Sequence, residues 1–439
     1  MFEKSVLGGT CINWGCIPSK TLIHAALFNF ESMHGGRVGL AERGDFPVLD
    51  AEKLARHRET VVSTLRQERY LEVLAQMKGL QLIKGTARLV DSGTVICDDR
   101  RYRAQRILIA VGGSPRIPDI PGLTHCDYLT SRSALLLRDF PRSLVVIGGG
   151  VVAVELGQMY HRMGCRVTIL EHGTRLLPTV EQELSAVLEA TLVNEGIKVV
   201  TRVSFCSVDK LGDVNVVYAD VDQHRHKFTC ERILLAVGTT PASAGIGLEQ
   251  AGVTVDSKGF VQVDQHMRTV APGIWAAGDV VGKMMIATVG AREAVIAVDD
   301  MFNQGCGCTM DYLTAPMAIF TDPEVAMVGF SEQQARSAGF DCLVNVMPVS
   351  AIPKAHVINQ PEGVIKMIAD RVSGRLLGVH LVCHRGADMI NEAALALRMK
   401  ATVDDLATTM HVYPSIGEGL RLCAQGFSRD ISRLSCCAE

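Results

Sequence analysis

Aromatic residues are scarce: Phe, Trp and Tyr make up 5% of the 439 residues, with two tryptophans in all. Ring stacking is therefore not a general theme of recognition. Neither sign of charge dominates. The 44 Lys and Arg against 47 Asp and Glu leave a formal charge of −3, and with the two signs interspersed the basic footprint of a nucleic-acid binder is missing. No apolar stretch reaches the ~18 uninterrupted residues of a membrane span, because glycines or charges break each one. The opening MFEKSV lacks the apolar core of a secretion signal, which predicts a cytoplasmic protein. Cysteine, by contrast, is plentiful at 14 residues. Without a secretion signal, that usage points to free thiols, redox chemistry or soft metals rather than a disulfide framework. The length suffices for two to four domains, each with its own core.

The densest stretch of chemistry is GGTCINWGCIPSK, residues 8–20. Cys11 and Cys16 stand with four residues between them, behind a glycine pair that permits a tight turn. The following SKTLIHAALFNF has helical apolar spacing, so the pair is expected at a helix start, where the thiolate is favoured. Residues 51–78 read as one long amphipathic helix with a solvated face, and Tyr70 within it reads by composition as a packing residue.

Two segments resemble each other, RILIAVGGSP at 106–115 and RILLAVGTTP at 232–241. Each is a buried strand halted by glycine and proline, and together they suggest two copies of one nucleotide-binding unit. Between them, LVVIGGG runs into VVAVELGQMYHRMG and then CRVTILE. Gly148, Gly150 and Ala153 fit the Rossmann fingerprint, and Glu171 stands where an acid holds the ribose hydroxyls of NAD. His172 and Arg175 follow at once and could neutralise a 2′-phosphate. The choice between NADH and NADPH stays open at this level.

The string GGTC-x4-C-x-PSK resembles the redox motif of the flavin-dependent disulfide reductases. That resemblance implies an α/β fold with two Rossmann-like nucleotide-binding domains, the first incomplete, and a C-terminal α+β dimerisation domain. The implied boundaries are 1–130 for FAD binding, 131–250 for NAD(P)H binding, 251–312 for a return to the FAD-binding domain and 313–439 for the interface domain. It makes Cys11 the interchange thiol and Cys16 the thiol against the flavin. Lys20, Gly112 and Asp279 (closing DQHMRTVAPGIWAAGD) would serve FAD, and Gly238 the nicotinamide side. The family also places a strand, a G-x-G-x-x-G turn and a helix before the cysteine motif. Such a unit needs ~30 residues, whereas seven precede Gly8, so the chain is expected to be a fragment with a late start.

In the dihydrolipoamide and glutathione branches, a His-Pro-Thr-x-x-Glu motif supplies a proton-shuttling His. Here the segment is HVYPSIGEG. Glu418 aligns, but Tyr413 takes the place of the His, and a phenol of pKa near 10 is a poor base beside an imidazole near 6.5. His411, two residues earlier, would lie on the same face of an extended strand about 6.6 Å away. The chain then closes on...SCCAE, whose Cys436 and Cys437 suit capture of a soft metal on a mobile arm. Together these features are similar to the mercuric reductases, with Tyr70 and Tyr413 matching the family's two tyrosines. The implied activity is NAD(P)H-driven reduction of Hg(II) to Hg(0) through FAD and the Cys11–Cys16 pair, in a homodimer whose active sites are shared. Hg(II) would arrive as thiol complexes, pass to Cys436 and Cys437 of the other subunit, and then to Cys11 and Cys16. A dihydrolipoamide dehydrogenase-like disulfide reductase and an inactive, truncated metal-binding remnant are the alternatives. Cys306 and Cys308, in a CGC loop, read as surface thiols.

Overall fold

The computed structural model describes residues 1–39, 49–303 and 307–433. Cys306, Cys436 and Cys437 lie outside the described residues.

The first unit opens with β1 (Phe2–Glu3) and two helices separated by Gly15, α1 (Gly9–Trp14) and α2 (Cys16–Met33). In α2 the buried Pro18, Leu22 and Ala26 recur every fourth residue and form one packing stripe. Helix α3 (Ala51–Arg66) starts at Asp50, whose carboxylate caps the Lys53 N–H at 3.0 Å. It runs without a break through one π-helical turn, Gln67–Leu71, into α4 (Glu72–Gln76). The expected long helix is therefore present with one wide turn, and that turn carries Tyr70. Then come β2 (Ile83–Lys84), the antiparallel meander β3 (Ala87–Asp91), β4 (Thr94–Cys97) and β5 (Arg100–Arg103), and the repeat strands β6 (Ile107–Ile109) and β7 (Gly113–Pro115).

The second unit is a parallel sheet in the order β11-β10-β9-β15-β8. Its members are β8 (Tyr128–Thr130), which leads into the short α5 (Ser131–Ala134), β9 (Ser143–Ile147), which leads into α6 (Val151–Arg162), β10 (Arg166–Leu170), which leads into α7 (Gln182–Glu195), and β11 (Lys198–Val200). A meander of β12 (Ser204–Leu211), β13 (Val214–Val221) and β14 (His224–Cys230) intervenes before β15 (Arg232–Leu235) and β16 (Thr239–Pro241). After Ser143, strand β9 is apolar because the sheet is covered on both sides. Leu144 and Val146 pack on α6 and α7, while Val145 and Ile147 pack under the meander. The two repeats meet directly: β7 and β16 pair antiparallel, with Thr239 opposite Pro115 and Pro241 opposite Gly113.

The chain then returns to the first unit. Strand β17 (Ile274–Ala276) pairs parallel with β6, and α8 (Ala287–Phe302) follows. The last unit is an antiparallel sheet in the order β18-β19-β22-β21-β20. It consists of β18 (Met317–Ile319), β19 (Glu324–Gly329), α9 (Glu332–Ser337), β20 (Cys342–Pro348), α10 (Pro353–Val357), β21 (Val364–Asp370) and β22 (Leu376–Cys383). Helices α11 (Gly386–Arg398), α12 (Val403–Thr408) and α13 (Glu418–Gln425) close its core. The architecture is α/β with an added α+β domain. Among the described residues, no helix is long and apolar enough to cross a membrane.

One apolar core links all three units, since Leu22 and Ala26 of α2, the buried face of α6, and Ile319, Val325 and Val382 of the last sheet share it. The redox helix is thereby fixed against the fingerprint helix.

Candidate active site

Cys11 lies inside α1 and Cys16 is the first residue of α2, both half-buried and both free thiols. The pair thus straddles the helix start that the sequence predicts for it. The Cys11 thiol donates to Cys16, which lowers Cys16 to about 6; the Lys20 ammonium, one turn along α2, helps. The same shared proton, with burial, pushes Cys11 up. The two sulfurs therefore hold one proton between them at neutral pH, and the thiolate is Cys16.

Lys20 is itself anchored. Its Nζ is 2.9 Å from Oε2 of Glu155, a buried residue of α6, and lies over the Phe320 ring at 4.6 Å. Glu155 also accepts the Phe320 N–H at 2.8 Å. Sequence reading missed Glu155. Its signal was available as an acidic residue in the otherwise apolar first half of the helix after the glycine turn. Tyr70 projects from the π turn toward both cysteines; burial raises its pKa first, and the charge of Cys11 and Cys16 raises it further. It stands close enough to the sulfurs to feel their charge, which the packing role suggested by composition does not call for. Single π turns recur at functional sites because the extra residue re-aims a side chain.

The nicotinamide side is built on β9 and α6. Gly148 takes φ +110°, and a Cβ there would sit 2.5 Å from the Ala236 carbonyl, so only glycine fits that crossing. At Gly150, which caps α6, a Cβ would point into open space in front of the helix N-terminus. Ala153 is fully buried against the strand. Glu171 follows β10, accepts the Gly173 N–H at 2.5 Å and reaches the Gly149 turn. Arg175 is committed elsewhere: its guanidinium donates to the carbonyls of Leu177, Val180 and Pro178. In this arrangement the guanidinium is turned to its own loop, and the choice between NADH and NADPH stays open. The exposed His172 turns Nδ1 to the Val203 carbonyl. Gly238 immediately precedes β16, and its carbonyl accepts the Arg116 N–H, at the crossing of the two repeats.

The flavin side converges on Asp279, just past β17. This carboxylate is partly buried, no described group donates to it, and burial alone pushes its pKa up. Gly113, next to Gly112, lies beside it. Behind it, the buried Glu293 of α8 accepts the Gly278 N–H at 2.7 Å and the Tyr312 hydroxyl at 2.6 Å. A half-buried acceptor lacking any donor is suited to a ribityl hydroxyl, so these residues fit the flavin and ribityl end of FAD. The Gly148–Gly150 turn, with open space before a helix N-terminus, likewise fits a dinucleotide pyrophosphate.

Tyr413 stands on the loop between α12 and α13 in the last unit, 47% exposed, beside the exposed Met410 and Val412. Glu418 is buried, and its carboxylate pairs with Arg421 at 2.7 Å. The imidazole of this loop, His411, is held instead by Glu392 of α11, with Nε2 2.9 Å from Oε1, and that hydrogen bond raises its pKa. Its face-sharing position beside residue 413 is thus used for a bond to a different helix. Cys308 is half-buried, and its carbonyl takes the Nδ1–H of His266. No cluster of three metal-ligating side chains occurs among the described residues.

Residues 1–294 match the family model for pyridine nucleotide-disulphide oxidoreductases, and residues 315–424 match the dimerisation domain of that family. The chain is 35% identical to the mercuric reductase of Staphylococcus aureus, over 100% of this chain and 79% of that protein. To the dihydrolipoyl dehydrogenase of Thermus scotoductus it is 37% identical, over 97% and 91% respectively. Among solved structures, the HOCl-induced flavoprotein disulfide reductase RclA from Escherichia coli matches with a TM-score of 0.85 at 29% identity, over 97% of this chain and 93% of that one. With its cysteine pair, fingerprint helix and dimerisation domain in place, the chain belongs to the pyridine nucleotide-disulphide oxidoreductase family.

Proposed function

We propose that the protein reduces Hg(II) to Hg(0) with reduced nicotinamide as electron donor, as a homodimer whose active sites are shared between subunits. The observation that carries this reading is Tyr70, which lies within electrostatic reach of the thiol–thiolate pair, in a chain whose other expected acid–base position is also a tyrosine, Tyr413. Two thiolates transferring a soft cation need ligand exchange, not a strong base. FAD, when bound, supplies the two-electron relay between nicotinamide and thiols.

The residues of the chain do the rest. The Gly148–Ala153 turn and Glu171 hold the donor nucleotide, and Asp279, with Gly112 and Gly113 near it, holds the ribityl end. Lys20 keeps Cys16 as a thiolate. Cys436 and Cys437 of the partner subunit take Hg(II) from solution thiols and pass it to Cys11, which loses its proton as its sulfur–mercury bond forms. Cys16 then becomes the second ligand. The tyrosine hydroxyls donate hydrogen bonds to outgoing thiolates and ease exchange.

A second reading, a dithiol-disulfide reductase, is favoured by the His411–Glu392 pair, which is a His–carboxylate couple able to shuttle a proton. Hg(II)-dependent NAD(P)H oxidation by flavin-loaded protein separates the two. Stimulation by Hg(II) that disappears with Cys436→Ala and Cys437→Ala supports the mercury reading. Turnover of a dithiol, indifferent to those changes and lost with His411→Asn, replaces it.

A further inference from the structure

Beside the redox turn lies an open pocket of about 610 Å³, with Asn13 and Trp14 on one wall and α3 on the other. Four arginines face it, Arg56, Arg58, Arg66 and Arg132, against one acid, Glu59. That acid is taken: Arg138 binds it at 2.7 Å and Arg58 at 3.0 Å. Arg58 is buried and donates to the Leu135 and Leu137 carbonyls as well, and Arg56 has Glu52 at 4.0 Å. The other two have no carboxylate within ion-pair distance among the described residues. Arg66 donates to the neutral amide oxygen of Asn13 at 3.1 Å. Arg132, from the second unit, stacks its guanidinium 3.5 Å from the Trp14 ring centre.

Two unneutralised guanidiniums on either side of one pocket make a fork suited to a carboxylate. The location gives the anion its purpose. Asn13 and Trp14 are residues between Cys11 and Cys16, and Arg66 stands one turn before Tyr70, which faces both sulfurs. A short molecule held by its carboxylate at Arg66 and Arg132 is anchored against Asn13 and Trp14, on the segment that joins the two cysteines.

We propose that this pocket is a carboxylate subsite, and that it receives the acid group of a small carboxylated thiol whose Hg(II) is taken by Cys436 and Cys437 of the partner subunit on its way to Cys11; the identity of the cargo rests on the mercury reading. The site itself is tested without mercury. Full-length, flavin-loaded protein is reduced with dithiothreitol and desalted, and alkylation of the Cys11–Cys16 pair is followed by peptide mass spectrometry with iodoacetate and with iodoacetamide. Arg66→Gln and Arg132→Gln should each lower the iodoacetate-to-iodoacetamide rate ratio about tenfold, the loss of one charge-assisted contact. Arg66→Lys, which keeps the charge, should recover most of it. Arg132→Gln lies outside the redox turn and tests the site even where Arg66→Gln disturbs Asn13. A ratio unchanged in both variants overturns the subsite.

The cargo has its own arm. KM for Hg(II) presented as its mercaptoacetate complex should rise in both variants, with KM for the 2-mercaptoethanol complex unmoved. Equal rises for the two complexes overturn the proposal. A lowered alkylation ratio with no mercury-stimulated oxidation by either complex upholds the subsite and overturns the mercury cargo.

Discussion

Cys16 gains its thiolate from three neighbours at once: the Cys11 thiol, the Lys20 ammonium and the start of α2. Its pKa of about 6 sets a pH profile. Alkylation of Cys16 should be flat above neutrality and fall tenfold per unit below pH 6, because only the thiolate reacts. Lys20→Met removes the cation that favours the charged form, so the midpoint should move up, by about one unit; a midpoint that stays or falls would remove Lys20 from that role. The nicotinamide choice also belongs to this scale. Glu171 makes no ion pair among the described residues, and the Arg175 guanidinium is turned to three carbonyls of its own loop. NADH should therefore exceed NADPH in kcat/KM by about tenfold or more, and Glu171→Ser should narrow the gap. Steady-state kinetics with both donors checks it. For the tyrosines, Tyr413→Phe and Tyr70→Phe should each slow turnover with Hg(II), and unchanged kinetics would strip the hydroxyls of any part in exchange.

At the scale of elements, the decisive feature is how three helices are locked. Helix α6 carries Glu155 for Lys20 and also the buried Arg162, whose guanidinium binds Glu195 at 2.6 Å and Asp322 at 2.9 Å. One side chain so ties α6 to α7 and to the sheet of the last unit. Arg162→Ala leaves two acids without their cation and should cost about 3 kcal/mol of stability or more, read from denaturant unfolding of the loaded protein. The π turn of α3 is the second such feature. Removing one residue from 67–69 would restore a regular helix and rotate Tyr70 by about 100° away from the sulfurs. Turnover should fall at least as far as with Tyr70→Phe while the helical circular dichroism is kept. The helix itself is legible in the periodicity of residues 51–78. The π turn is not, because a one-residue insertion leaves an amphipathic pattern almost unchanged over so short a run.

For the whole molecule, the last unit exposes Leu395, Met399, Met410 and Val412, each 61% accessible or more. Apolar side chains so exposed on a dimerisation domain predict where the subunits meet. Met410→Asp combined with Val412→Asp should yield monomers in sedimentation experiments. If the active site is shared, those monomers should lose turnover while keeping the Cys16 pH profile, which one chain builds alone. The sequence by itself determined much here. The cysteine pair, the glycine fingerprint and the two repeats are local strings, and their meaning lies in backbone turns and spacings that a string encodes. Side-chain partnership was decided elsewhere. That Lys20 binds Glu155, that Arg175 is consumed by its own loop, that His411 turns to Glu392 and Glu418 to Arg421, and that Arg66 and Arg132 flank one pocket, all depend on packing. Lys20 and Glu155 lie 135 residues apart and come within 2.9 Å because α2 and α6 share one core. Tyr70 shows the boundary most clearly: an ordinary residue in an amphipathic helix by pattern, it stands on one wide turn within electrostatic reach of the sulfurs.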